Sequence, residues 1–271
     1  MVNPEAGVLL DIAESAAERA GKRLASIFNH GKISVRRKYD YPGSIVTNAD
    51  VESERLILGT IRSSGIKSTV VSEEKGRVEC GGRRIVWAVD PLDGTFNFAK
   101  RIPHFAVSIG VVEGGRTVAG AIYDPILDEM FTARRGNRAF LNGRRITVSR
   151  AAALRNASII FEWWDREPSI PDPLELEKKI YRHTRSLRSP GSIALNLCSV
   201  ASGRFDGLIT VFERSPLYET AAGSIIVEEA GGRVTNSLGS SWESLSRSII
   251  AAGPRLHRKL LYLAHQSLSK Q

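Results

Sequence analysis

Leu9, Leu10, Ile12, Ala13, Ala16, Ala17, Ala20 and Leu24 recur at the three- and four-residue spacing of one helical face. The pattern predicts a helix that opens at Asn3-Pro4, an N-cap followed by a residue suited to the first helical position, and stops at Gly31. A second helix is predicted from TNADVESERLILGTI, where Thr47 and Asp50 have capping-box spacing. The period then changes. STVVSEE and RRIVWAVD read as buried strands that end on acids, Glu73 and Glu74 in the first and Asp90 in the second. From Phe105 to Val148 short strands alternate with the turn pairs Gly114-Gly115, Asp124-Pro125 and Asn142-Gly143. This predicts a largely antiparallel meander behind the two helices.

Near Arg150 the character changes. The proline-rich EPSIPDPLE leads into a helix predicted to run through about Thr184. SLRSPGSIALNLCSVASG predicts a strand, a turn and a helix, and RFDGLITVF a strand. SPLYETAAGSIIVEEAGG predicts a helix with Ser215 as N-cap, Pro216 in the first position and Gly231 as stop. SIIAAG and a terminal helix follow. The expected class is therefore α/β (α+β), with an N-terminal α+β lobe over 1–150 and a C-terminal α/β lobe over 151–271.

Composition narrows the function classes. The chain has 271 residues, 42% hydrophobic and 25% charged, ordinary for a soluble globular protein. Its apolar runs are too short to span a bilayer, and Glu5, Asp11, Glu14 and Glu18 fit neither a secretory signal nor a transit peptide, so a cytoplasmic location is expected. Cys80 and Cys198 lack metal-like spacing, which argues against a zinc site or a disulfide framework. The net charge of +9 raises the question of nucleic acid. Yet the basic residues fall in short scattered runs (Arg36-Arg37-Lys38, Arg83-Arg84, Arg134-Arg135, Arg144-Arg145) with little aromatic interleaving. That favours a solvated surface over a dedicated nucleic-acid face, and a positive field would also draw in a small anionic substrate.

The chemistry concentrates in RIVWAVDPLDGTFNF. Pro91 cannot extend a ladder and biases Asp90 toward extended backbone, at the carboxyl end of a strand where α/β folds expose ligand sites. Asp93 returns toward it after the turn, and the N–H groups of Gly94 and Thr95 could face a phosphate. Two carboxylates so close repel unless a cation lies between them, and a hard divalent ion fits. A solvent-exposed Asp-Pro/Asp-Gly turn is the plainer alternative. Glu73 ends a neighbouring strand and can join this site. Glu219 stands in a first helical turn, where it also favours the dipole, and Asp50 is also a capping-box partner. The haloacid dehalogenase signature D-x-D-G-T has its acids two apart; here the spacing is three, against an aspartyl-phosphate route. An EF-hand is excluded by its missing loop pattern. None of the five histidines falls in a metal-like cluster.

DPLDGTFNF resembles the signature of the inositol monophosphatase family, the lithium-sensitive, magnesium-dependent sugar phosphatases. IVTNAD, VVSEE, RIPHFAVSIGVV, FTARRGNRAFLNGRRITVS, RSPGSIALNLCSVASGRFDG and ETAAGSIIVEEAGG follow the family in order over nearly the full chain. The resemblance implies an alternating αβαβα layered sandwich, a homodimer and two or three Mg²⁺ ions. By position, Glu73, Asp90 and the Leu92 carbonyl would hold one ion, and Asp90, Asp93 and Glu219 a second. Asp50 would act through water or a third ion. Gly94 and Thr95 would hold the phosphate, and Thr95 with Glu73 would orient the attacking water. Gly191, Ser192 and Ile193 fall where the family contacts the sugar, with Glu213 and Arg214 as further candidates.

Two positions depart from the family pattern: Tyr218-Glu219 stands for its Trp-Asp, and Ser44 for an acid. The implied reaction is hydrolysis of a phosphate monoester by metal-activated water. Inositol 1-phosphate and fructose 1,6-bisphosphate are the first substrates, and 3′-phosphoadenosine 5′-phosphate is an alternative. A non-catalytic metal- or phosphate-binding homologue is the reading from a different class.

Overall fold

The computed structural model describes residues 4–38, 45–163, 173–212, 216–242 and 247–268, with only the backbone at 4, 5, 82 and 83. The chain opens with α1 (Pro4–His30), β1 (Val35–Arg37), β2 (Ile45–Thr47), α2 (Asn48–Ser63), β3 (Ser68–Ser72) and β4 (Gly76–Asp93). Next come α3 (Thr95–Ala99), β5 (Ala106–Glu113), β6 (Arg116–Asp124), β7 (Glu129–Arg134), β8 (Ala139–Leu141) and β9 (Arg144–Ile146). After them follow β10 (Ser158–Trp163), α4 (Pro173–His183), β11 (Ser186–Arg188), α5 (Ile193–Ala201) and β12 (Gly207–Val211). The last elements are α6 (Leu217–Glu229), β13 (Arg233–Thr235), β14 (Ser248–Ala252) and α7 (Pro254–Leu268).

A seven-stranded sheet runs β3-β4-β5-β6-β7-β8-β9 and a five-stranded sheet runs β11-β10-β12-β14-β13. Helices α1 and α2 cover the outer face of the large sheet, α5 and α6 lie between the sheets, and α4 and α7 cover the small sheet. This is the αβαβα layering that the family resemblance implies. From β5 to β9 each strand pairs antiparallel with the next, as the turn signals predict. Asn142 (φ 47°) and Gly143 (φ 74°) both take the left-handed backbone of a tight hairpin turn. No described helix is long and apolar enough to cross a membrane.

Three differences from the sequence reading matter. Strand β10 has no turn or alternation signal, yet it lies inside the small sheet, parallel to both β11 and β12. Strand β3 is bracketed by both limbs of β4: Ser68 faces Cys80 and Ser72 faces Gly76 on one side, while Thr69 faces Val86 and Ser72 faces Val89 on the other. Helix α6 starts one residue late, with Pro216 itself at the N-cap (φ −72°, ψ 143°), where the sequence suggested Ser215. Ser215 and the expected cap Asn3 lie outside the described residues.

Close approach of α6 to the large sheet fixes the relation of the two halves. The Thr220-Ala221-Ala222-Gly223-Ser224 face is wholly buried. A Cβ on Gly110 would stand 2.7 Å from the Ala221 Cβ, and one on Gly120 2.8 Å from the Ala222 Cα. Both are contacts against backbone-borne atoms of a packed helix, which cannot swing aside. Gly120→Ala is therefore expected to destabilise by about 1–3 kcal/mol in urea unfolding. Gly59→Ala, on α2 with nothing within 4 Å of the added carbon, should stabilise by about 0.5–1 kcal/mol. Effects of equal size and sign at the two positions would remove steric contact as the explanation.

Candidate active site

Asp90 and Asp93 end β4, and their spacing poses a problem. Residues three apart on a regular strand point to opposite faces. The structure resolves it with a bulge: Asp90 pairs with Ser108 and Asp93 with Ala106, so three steps on β4 match two on β5. The inserted residue brings both carboxylates to one face. Pro91 has no N–H to lose there, and its carbonyl accepts the Ser53 hydroxyl at 2.6 Å. The Leu92 N–H donates to Asp90 Oδ1 at 3.0 Å. Both acids are buried, at 2% and 7% exposure.

Glu73 follows β3 directly beside them, its N–H donating to the Val89 carbonyl at 3.2 Å. Asp50 comes from α2 and serves two roles at once. Its Oδ2 accepts the Thr47 N–H at 2.8 Å and the Thr47 hydroxyl at 2.5 Å, completing the capping box. Its Oδ1 accepts the Thr95 hydroxyl at 3.0 Å, which also lies 2.9 Å from the Leu92 carbonyl. The cap and the site share one carboxylate.

Gly94 precedes α3 with φ 89°, and a Cβ there would meet the His104 carbonyl at 3.0 Å. The first N–H groups of α3 have no helical acceptors, as at any helix start. Phe98 anchors the short helix, packing edge-on to Phe105 at 4.9 Å between ring centroids. The Asn97 amide ties it to the far wall by donating to the carbonyls of His104 and Pro190 at 2.9 Å and Gly191 at 3.3 Å. In that wall Ser192 caps α5 and donates its hydroxyl to Asp93 Oδ2, joined by the Ala194 N–H at 2.9 Å. Ile193 opens α5 and is buried. One Asp93 oxygen is thus held by the protein.

Electrostatics mark the site. Burial, then the charges of Glu73, Asp93 and Glu219, push the Asp90 carboxyl well above the ordinary range. Burial raises Asp93 to about 7 against the lowering effect of the Ser192 and Ala194 hydrogen bonds. Asp50 rises to about 7, again mainly through burial. Glu219, half-buried in the first turn of α6, reaches this group from the other half of the chain. The sequence reading grouped Glu73, Asp90, Asp93 and Glu219, and in the structure the other three act electrostatically on Asp90.

One expectation needs correction. Lys38 donates to Glu73 Oε1 at 3.1 Å, to its carbonyl at 3.2 Å and to Glu74 Oε1 at 2.8 Å. A protein cation therefore already neutralises part of the cluster, where the sequence reading assigned that role to metal alone. Among the described residues no three acidic, histidine or cysteine side chains close up into a ready metal cage. The remaining donor set still suits a hard divalent ion. Oxygen donors only, buried carboxylates and a charge excess around Asp90 are what such an ion would relieve.

Sequence reading missed Lys38, hidden in a run that looks like solvated surface. It also missed Glu54, buried under the site, which accepts the Ser72 hydroxyl at 2.6 Å and the Lys75 N–H at 2.9 Å. Glu162 on β10 escaped too. It holds the Gly191 N–H at 2.6 Å and the Asn196 amide at 2.8 Å, and the acid interrupting SIIFEW was its signal. Glu213 and Arg214 lie outside the described residues.

Layered sheets with acids gathered at a strand's carboxyl end define an α/β protein with a candidate cation-dependent anion site. Residues 6–269 match the inositol monophosphatase family, and the chain belongs to that family. It is 36% identical over 262 residues to the Escherichia coli protein called Nus factor SuhB, covering 96% of this chain and 97% of that one. Its fold matches the crystal structure of the suppressor protein suhB from Bartonella henselae with a TM-score of 0.90 and 32% identity, over 96% of this chain and 100% of that one. An inositol monophosphatase from Anabaena matches with a TM-score of 0.84 and 33% identity, over 98% and 99%.

The raised carboxyls give a pH test. A carboxyl whose folded pKa is raised binds more protons folded than unfolded, so it lowers stability as pH climbs from its unfolded value through its folded one. Metal-free protein should therefore lose part of its Tm between about pH 4 and pH 7. Asp90→Asn should flatten that loss and raise Tm at pH 7. Mg²⁺ should raise the Tm of the parent protein and leave the variant nearly unchanged. A variant less stable than the parent at pH 7 without metal would show that repulsion is not what burdens the site.

Proposed function

We infer that the protein is a Mg²⁺-dependent phosphomonoesterase acting on a small phosphorylated polyol, with inositol 1-phosphate as its first substrate. The supporting observation is the convergence of the Glu73, Asp93 and Glu219 charges on buried Asp90. Membership of the inositol monophosphatase family supports the same class. Glu73, Asp90, the Leu92 carbonyl, Asp93 and Glu219 are the residues that would hold the ions, with Asp50 more remote.

Bound Mg²⁺ would supply charge neutralisation at the phosphoryl oxygens and a lowered pKa for water. The chain supplies the rest. The N–H groups of Gly94, the N-cap, and Thr95, the first residue of α3, receive the phosphate. Thr95 commits its hydrogen to Asp50 or to the Leu92 carbonyl, so its lone pairs face the pocket as acceptors and, with Glu73, orient the attacking water. Asp93, held by Ser192 and Ala194, keeps α5 and the Gly191 turn in register with the acids, so the sugar side of the pocket follows the phosphate side. Gly191, Ser192 and Ile193, with Glu213 and Arg214, are assigned to the sugar. Displacement is in line, and no covalent protein intermediate is needed.

The test is phosphate release from inositol 1-phosphate. Activity should require Mg²⁺, vanish with EDTA, and fall about a hundredfold or more in Asp90→Asn, the scale of losing one transition-state charge contact. No release from inositol 1-phosphate, fructose 1,6-bisphosphate or 3′-phosphoadenosine 5′-phosphate would overturn the assignment. Relative kcat/KM on these three ranks the substrates.

Glu219 and the Lys38–Glu73 pair favour one second reading, a homologue that binds metal or phosphate without turnover. Glu219→Asp separates the two. A rise from an inactive start supports the non-catalytic reading, and a fall from an active start supports an enzyme tuned to glutamate.

A further inference from the structure

We propose that a second, basic concavity at the opposite end of α6 binds a compact polyanion, a small molecule carrying two or more phosphate groups. The cavity is about 600 Å³, within the usual range for small-molecule sites. Four arginines line it: Arg138 from the turn before β8, Arg145 on β9, Arg150 in the loop beyond, and Arg255 in the first turn of α7. These positions lie far apart in sequence, and only the fold assembles them.

The positive charge there exceeds the negative, four arginines against one carboxylate. Some arginines elsewhere have carboxylate partners, as in Arg23–Glu52 at 2.9 Å, Arg84–Glu113 at 2.8 Å and Arg135–Glu228 at 2.5 Å, so it is the gathering of four around one concavity that sets these apart. None of the four cavity arginines forms an ion pair among the described residues. The one carboxylate in the lining, Glu229, is engaged with backbone. Its two oxygens accept the N–H of Gly136 at 2.8 Å and of Arg138 at 3.0 Å, which fixes the turn. Arg138 itself sits at φ 72°, a conformation that glycine would adopt without strain.

Four like charges around one concavity repel one another and raise the local potential, and a multiply charged anion relieves both. Guanidinium is the side chain best shaped to grip phosphate through paired N–H bonds. The cavity lining contains no aromatic side chain, so the base-stacking platform of a single-stranded nucleic-acid site is missing. A concavity of this volume suits a small ligand. It is also separate from the acids: Glu219 and Glu229 stand at opposite ends of α6, about 15 Å apart at 1.5 Å per residue. One site would need metal to accept phosphate. The other needs none.

The experiment is calorimetric titration of the whole protein with inorganic tripolyphosphate and with inositol hexakisphosphate, in EDTA so that the acid cluster repels both. Saturable binding at micromolar Kd with one ligand per chain is expected, and orthophosphate should bind at least about tenfold more weakly. Arg145→Glu combined with Arg255→Glu should weaken binding at least about tenfold. Both side chains are exposed and outside the candidate active site, so Tm should hold. If that pair disturbs folding, Arg145→Gln combined with Arg150→Gln answers the same question. Binding unchanged in a folded variant, or no saturable binding to the parent protein, overturns the proposal. So does an oligouridylate that binds more tightly than tripolyphosphate and is not displaced by it. Phosphate release from inositol 1-phosphate in Mg²⁺ is read separately. Its loss in parent and variant alike would count against the hydrolase reading and leave the polyanion site standing.

Discussion

Repulsion between buried carboxylates is the constraint on which the rest of the structure turns. Asp90 is nearly sealed from water with Glu73, Asp93 and Glu219 acting on it, an arrangement that costs stability when the acids ionise. The fold holds it with particular devices. A β-bulge turns two acids to one face, a helix start grips one Asp93 oxygen, and a capping box grips Asp50. Lys38 supplies partial neutralisation at Glu73. Proteins hold groups in unfavourable surroundings where function depends on their reactivity or on a ligand that relieves them.

Layering makes that concentration possible. The acids come from α2, the end of β3, the end of β4 and the start of α6, which no local structure could join. Gly110 and Gly120 let α6 lie almost on the sheet backbone, and Gly223 does the same against Leu197 on α5. Glu219 stands in the first turn of the helix that those contacts seat. The same helix ends at Glu229, beside the basic concavity, so one rigid element separates two charged regions of opposite sign.

Much of this was legible in the chain. Thr47 and Asp50 announced their capping box, Asn142-Gly143 its hairpin, and the alanine-rich face of the first helix its burial, because each depends on neighbours a few residues away. The acids at Glu73, Asp90 and Asp93 were visible as carboxylates ending apolar runs. Strand β10 was not, since a short apolar stretch without alternation is ambiguous until a sheet encloses it. Lys38 looked like surface because its partners lie 35 and 36 positions away. The arginine pairs looked dispersed for the same reason.

The sequence alone determined most of the elements, the acid-bearing strand ends and the family, because periodicity, turn chemistry and motif order are properties of neighbouring residues. The tertiary structure decided which charges meet. It set Lys38 on Glu73, gave Asp50 two roles and turned Asp93 beside Asp90 through a single inserted residue. It also gathered Arg138, Arg145, Arg150 and Arg255 around one hollow. Charge acts through space, and the spacing of charges in space is set by how sheets and helices stack.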